Sequence, residues 1–126
     1  MNRVSRFVLL VVGVFTAGAA YADLDCGNET TQQGMNICAA NAARAADAAL
    51  ASEYQSDLKD IQADRRALLT ATQEAWSSYR DAQCSLEASQ FDGGTMQPFA
   101  LSACRERLAT ERTRSLKEFW HEAIDK

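Results

Sequence analysis

Proline occurs once in this 126-residue chain, at position 98, and beyond residue 22 glycine occurs only at positions 27, 34, 93 and 94. Helix breakers this sparse leave no room for the regularly spaced turns of an all-β domain and allow long uninterrupted helices. Histidine also occurs once, at His121, the sixth residue from the carboxyl end. It has no thiol to serve if the cysteines are bonded, and reads as a surface residue. There is no phosphate loop, no metal-binding helix signature and no nucleophile elbow. None of the seventeen acidic residues stands in an apolar setting that would separate two carboxylate pKa values for acid-base work. These absences exclude the common catalytic constellations, and the chain reads as a non-enzyme without cofactor or metal.

The amino terminus is the one strongly apolar region. Arg3 and Arg6 precede the run Phe7 to Phe15, and Ala20-Tyr21-Ala22 gives the small-x-small pattern of a cleavage site. Residues 1–22 therefore read as a signal peptide and 23–126 as the mature domain. The run is shorter than the roughly 20 apolar residues a bilayer span needs, and no later segment qualifies, so no membrane insertion is expected after cleavage. Asp-Leu-Asp before Cys26 is a poor context for lipid attachment. The expected location is periplasmic or secreted. Residues 23–126 carry eleven basic and seventeen acidic side chains, a net of −6, which disfavours nucleic acid and favours cationic partners through steering that salt weakens.

All four cysteines, Cys26, Cys38, Cys84 and Cys104, lie in the exported part, where an even count reads as two disulfides. Their spacings of 12, 46 and 20 do not match the close pairs of a structural zinc site.

Three helical series follow. Thr30 with Gln33 offers a capping box for a first helix, on which Met35, Cys38, Ala42, Ala46, Leu50, Tyr54, Leu58 and Ile61 recur at helical spacing. Nine of the thirteen residues from Ala39 to Ala51 are alanine, which favours helix and leaves a thin face for close packing. Leu68, Leu69, Thr72, Ala75, Trp76, Tyr79, Ala82 and Leu86 make the apolar stripe of a second helix, from about Asp64, its candidate N-cap, to Ser89. A break near residue 62 is preferred to one continuous helix of roughly 87 Å, which could not bury itself in a domain this small. Gly93-Gly94 then permits a turn, and Pro98 suits the first turn of a third helix bearing Leu101, Cys104, Leu108, Arg112, Leu116, Phe119 and Ala123 on one side. The expected fold is all-α, a small three-helix up-down-up bundle with its cysteines at one pole. Because all four gather there, geometry alone leaves three pairings open; Cys26–Cys38 and Cys84–Cys104 are the expected ones, each contributing about 2–4 kcal/mol.

The stretches "CGNETTQQGMNICAANAARAADAALASEY", "TQEAWSSYRDAQC", "FDGGTMQP" and "CRERLATERTRSL" together resemble the LprI-type lysozyme-inhibitor family of small exported bacterial proteins. The resemblance runs from about Cys26 to Phe119 and is carried by Gln73, Trp76, Tyr79, Arg80, Cys84, Gly93, Gly94, Cys104 and Arg112 in that order. It departs from the family in a shorter stretch between Tyr54 and Gln73 and in Ala109, where members often carry threonine. What it implies is a helical export-linked domain that binds lysozyme or a similar wall hydrolase; an immunity-type module against a periplasmic toxin and an accessory envelope protein are the alternatives.

Trp76 and Tyr79 lie on the apolar stripe and are expected in the core. Arg80 and Asp81 are neighbours in sequence and are not expected to pair with each other; Arg80 is expected to reach a carboxylate or an exposed backbone carbonyl on another helix, for instance Glu111 or the turn near Gly93, and Arg112 to brace the bundle similarly. The segment Gln90 to Gln97, braced by Cys84–Cys104, is the candidate partner-binding loop, with Phe91, Asp92, Gly93, Gly94 and Met96 as its residues. The competing expectation is a plain connector whose Phe91 and Met96 tuck inward.

Overall fold

Among the described residues, three long helices of nearly equal length follow one another: α1 (Gln32–Asp60), α2 (Ala63–Ala88) and α3 (Gln97–Ile124), with a single 3-10 turn, Ser89–Phe91, extending α2. The structure is a computed structural model and describes residues 24–124. The expected signal peptide lies outside these residues, as does the side chain of His121.

The start of α1 differs from the capping box read from sequence. Thr31, not Thr30, is the N-cap: its Oγ1 accepts from the Gly34 N–H at 3.0 Å. The Glu29 carboxylate accepts both the N–H and the hydroxyl of Thr31 at 2.7 Å, and these bonds lower its pKa. Gln33 is not needed as the reciprocal partner, because a glutamate in front of the cap already holds it. Helix α1 ends at Asp60, where Ile61 turns to extended backbone, so the expected break is present. Gln62 caps α2 without a side-chain bond, and Asp64 lies in the first turn rather than at the cap, where its charge suits the helix dipole.

Helices α1 and α3 run parallel and α2 runs antiparallel to both. Asn36 meets Thr95 at one end of the α1/α3 pair and Glu53 meets Lys117 toward the other. Cys84 meets Cys104, and Gln73 meets Arg112, in the reversed order an antiparallel α2/α3 pair requires. The alanine run sets the closest approach: Ala39, Ala43 and Leu50 are buried where α1 meets α3, and Ala109 is fully enclosed. The backbone of α2 packs on α3 and scarcely approaches α1. Its link to α1 is made by side chains, Arg80 to Asp47 and Tyr54 Oη to Thr70 Oγ1.

Two clusters form the core. Leu50, Ile61, Leu69, Ala109 and Leu116 fill the lower part; Cys84, Cys104 and Leu108 fill the upper part, and Trp76 packs against both. The stripe expected to bury α2 is corrected here. Leu69 and, in part, Trp76 face inward, whereas Leu68, Tyr79 and Leu86 are 67 %, 55 % and 66 % exposed. Phe119 on α3, also expected inward, is 61 % exposed. The charged flank of α2 turns toward α1 and α3 instead, because both offer it partners.

The disulfides are Cys26–Cys38 and Cys84–Cys104, leaving no free thiol, so no cysteine is available as a metal-binding thiolate. Both bridges lie toward the pole formed by the start of α1, the end of α2 and the start of α3. Among the described residues no helix is long and apolar enough to cross a membrane.

Candidate functional site

The turn from α2 to α3 is built residue by residue from short hydrogen bonds. The 3-10 turn closes with Asp92 N–H on Ser89 O at 3.2 Å, and Gly94 N–H then donates to Phe91 O at 2.9 Å. Between them Gly93 takes φ 75°, a left-handed conformation that a β-carbon would strain. Gln97 seals the loop by donating from Nε2 to Asp92 Oδ1 at 2.7 Å, and Asn36 Nδ2 of α1 ties down Thr95 O at 3.0 Å. With the Cys84–Cys104 bridge below it, the turn is a knuckle fastened at both feet and from the side.

Residues Phe91, Asp92, Gly93, Gly94 and Met96 are all exposed on this knuckle. Phe91 and Met96 are 39 % and 37 % exposed, so each packs part of its surface and presents the rest. Asp92 lies between them in sequence, its carboxylate held by Gln97 through one oxygen. The arrangement is a hydrogen-bonded projection that presents two apolar residues and one acidic residue to solvent.

The motif residues of α2 and α3 do something different. Arg80 donates from Nη1 to Asp47 of α1 at 3.0 Å and from Nε and Nη2 to Asp81 at 3.1 and 3.0 Å, while its guanidinium lies 5.2 Å from the Trp76 ring centroid. Arg105 of α3 reaches the same Asp81 at 3.5 Å. A chain of charges thus links α1, α2 and α3 across one level of the bundle. One expectation is corrected here: Arg80 does pair with its neighbour Asp81, because its flexible stem lets the fork curl back. The expected interhelical carboxylate is present, but it is Asp47 of α1 rather than Glu111 or the Gly93 turn. Asp47 was legible as the lone carboxylate within the alanine run. Tyr79, on the outward face, takes no part.

Arg112 donates from Nε to Gln73 Oε1 at 3.1 Å and, more weakly, from Nη2 to Thr72 Oγ1 at 3.4 Å. Partial burial lowers its pKa, and nearby Asp57 opposes that shift. Asp57 is itself buried beside Trp120 at the lower pole, and desolvation raises its pKa above the ordinary 3.8, with Glu53 and Asp60 adding to the rise. The Trp120 indole is near enough to favour the carboxylate, yet Trp120 Nε1 and Asp57 Oδ2 each lack a partner at hydrogen-bonding geometry. Asp57 was missed in the sequence although it falls three residues after Tyr54 and four before Ile61 on the same stripe. A recess of about 280 Å³ opens beside it, lined by Leu68, Leu69, Leu116, Phe119 and Trp120 with Arg65 and Arg112 at its edge.

The molecule is thus a cystine-stapled helical bundle with a rigid acidic knuckle at its bridged pole. It belongs to the family described as Lysozyme inhibitor LprI, whose model matches residues 25–116. The chain is 36 % identical over 128 residues to an uncharacterized protein of Rhizobium meliloti (strain 1021), covering 91 % of this chain and 92 % of that relative. No solved structure matches it.

Proposed function

We propose that this chain is an exported, non-catalytic inhibitor of lysozyme or a similar peptidoglycan hydrolase, which it engages through the Phe91–Met96 knuckle. Family membership supports the inhibitor reading. The observation that carries the choice of site is the knuckle itself, a loop immobilised from three directions that still presents Phe91, Asp92 and Met96 outward. Residues 1–22 are its export signal, in keeping with a family match that begins only at residue 25. The net charge of −6 on residues 23–126 steers a cationic hydrolase toward the domain, and salt weakens that steering.

The test is lysozyme clearing of a peptidoglycan suspension, with and without the purified, oxidised mature domain, at low and physiological salt. Dose-dependent protection at one-to-one stoichiometry, stronger at low salt, is expected. The combined Phe91→Ala, Asp92→Ala and Met96→Ala variant should lose protection while keeping its circular-dichroism spectrum. No protection from folded wild-type protein would discard the inhibitor reading; full protection from the triple variant would discard the site.

A further inference from the structure

The solvent face of α2 is inverted relative to an ordinary surface helix. Leu68, Thr72, Ala75, Tyr79, Ala82 and Leu86 recur at alternating spacings of four and three, and all six are exposed. That is the seam of a coiled coil, turned outward. The flanks, Ala71, Ser78 and Ser85, are small, and no charged residue interrupts the face. Meanwhile Arg80, Asp81 and Glu87 are engaged by α1 and α3 on the other side of the helix.

Three of the hydroxyls on this face are already satisfied within α2. Thr72 Oγ1 donates to Leu69 O at 2.9 Å, Ser78 Oγ to Glu74 O at 3.2 Å and Ser85 Oγ to Asp81 O at 2.8 Å. Water can leave these three positions without stranding a donor, which favours dry helix packing there.

We propose that this face is a homodimer interface, in which α2 pairs antiparallel with α2 of a second copy about a two-fold axis near Ser77. The seam is palindromic about that residue. Antiparallel pairing sets Leu68 against Leu86 of the partner subunit, Thr72 against Ala82 of the partner subunit and Ala75 against Tyr79 of the partner subunit. Large meets small at the centre and leucine meets leucine at both ends, the self-complementarity that an isologous interface requires. Each end has a receptacle: the recess beside Leu68 and Phe119, about 280 Å³, lies where Leu86 of the partner subunit arrives. A seam of roughly 27 Å, from the eighteen steps between Leu68 and Leu86 at about 1.5 Å each, is at the small end of stable interfaces, so association is expected near the micromolar range.

Sedimentation equilibrium of the oxidised mature domain over a wide concentration range tests the association. A reversible monomer–dimer equilibrium is expected, with Leu86→Lys weakening it roughly a hundredfold because the two-fold axis repeats the loss. Since Leu86 is exposed, that variant should keep the wild-type circular-dichroism spectrum and thermal midpoint. A photocrosslinking benzoylphenylalanine in place of Tyr79 should join two chains at the peptide containing Ala75. A protein monomeric at every concentration, or a dimer whose crosslink falls outside α2, overturns the proposal. So does a monomer whose Leu86→Lys variant loses hydrolase protection, which would assign the face to the hydrolase instead.

Discussion

Removing the Cys84–Cys104 bridge should cost clearly more stability than removing Cys26–Cys38, although both close short loops. The sequence separations are 20 and 12. Loop-closure entropy alone gives about 3.3 kcal/mol for the first and about 2.8 kcal/mol for the second, a gap too small to resolve with certainty. Burial decides the order. Cys84 and Cys104 are 0 % and 3 % exposed and pack with Leu108 and Trp76, so alanine at both positions also leaves a void in the upper core, worth roughly 1–2 kcal/mol more. Cys26 is exposed and precedes α1, so its loss frees a lead segment that can fray without opening the bundle. The double variant Cys84→Ala/Cys104→Ala should therefore lose about 4–5 kcal/mol, a large part of the 5–15 kcal/mol typical of a folded domain. A fall in Tm of roughly 20 °C is expected for a domain of this size. Urea unfolding followed by helical circular dichroism measures both variants on one scale. Equal losses, or a larger loss from the Cys26–Cys38 pair, would refute the claim that core burial separates the two bridges.

Three further expectations concern the interior. Ala109→Leu should destabilise the fold by about 1–3 kcal/mol in thermal or urea unfolding, because the fully enclosed position lies in the closest helix seam and has no room for the added volume. Arg80→Lys should behave almost like Arg80→Ala, each costing about 1 kcal/mol after allowance for the half-exposed Asp47 and Asp81, since an ammonium cannot serve two carboxylates and the Trp76 face together. Asp57 has a raised folded-state pKa, so the folded protein holds its proton to higher pH than the unfolded chain does. The stability this group contributes is complete below the ordinary value of 3.8 and is lost as pH rises through the raised one; the wild-type advantage over Asp57→Asn should shrink across that window. A difference in urea midpoints that stays flat or grows with pH would contradict this.

The knuckle was legible because its signals are local. Gly-Gly permits a left-handed turn, Pro98 suits a helix start, and flanking cysteines fix the feet. The brace was only half legible: Arg80 announced itself as a cation needing a partner, but the choice of Asp47 depended on which level of α1 lies opposite. Thr31 displaced Thr30 as the cap because Glu29 was available to hold it, a competition between adjacent residues that spacing alone does not rank.

The order of three helices, the break after Asp60, the bridged pole and the knuckle were determined by the sequence, because each rests on residues near one another in the chain or on the count of cysteines. Tertiary structure decided which side of α2 faces inward. Periodicity defines an apolar stripe but not what the stripe meets. Here the alanine face of α1 draws α3 so close that their seam is filled by small side chains, and α2 is left beside α3. Asp47 from α1 and Arg105 and Arg107 from α3 then engage the charged flank of α2, Arg80, Asp81 and Glu87. Inward pairing of that flank, together with Leu69 and Trp76, turned Leu68, Tyr79 and Leu86 to solvent, because one helix cannot present all its faces to a core this narrow.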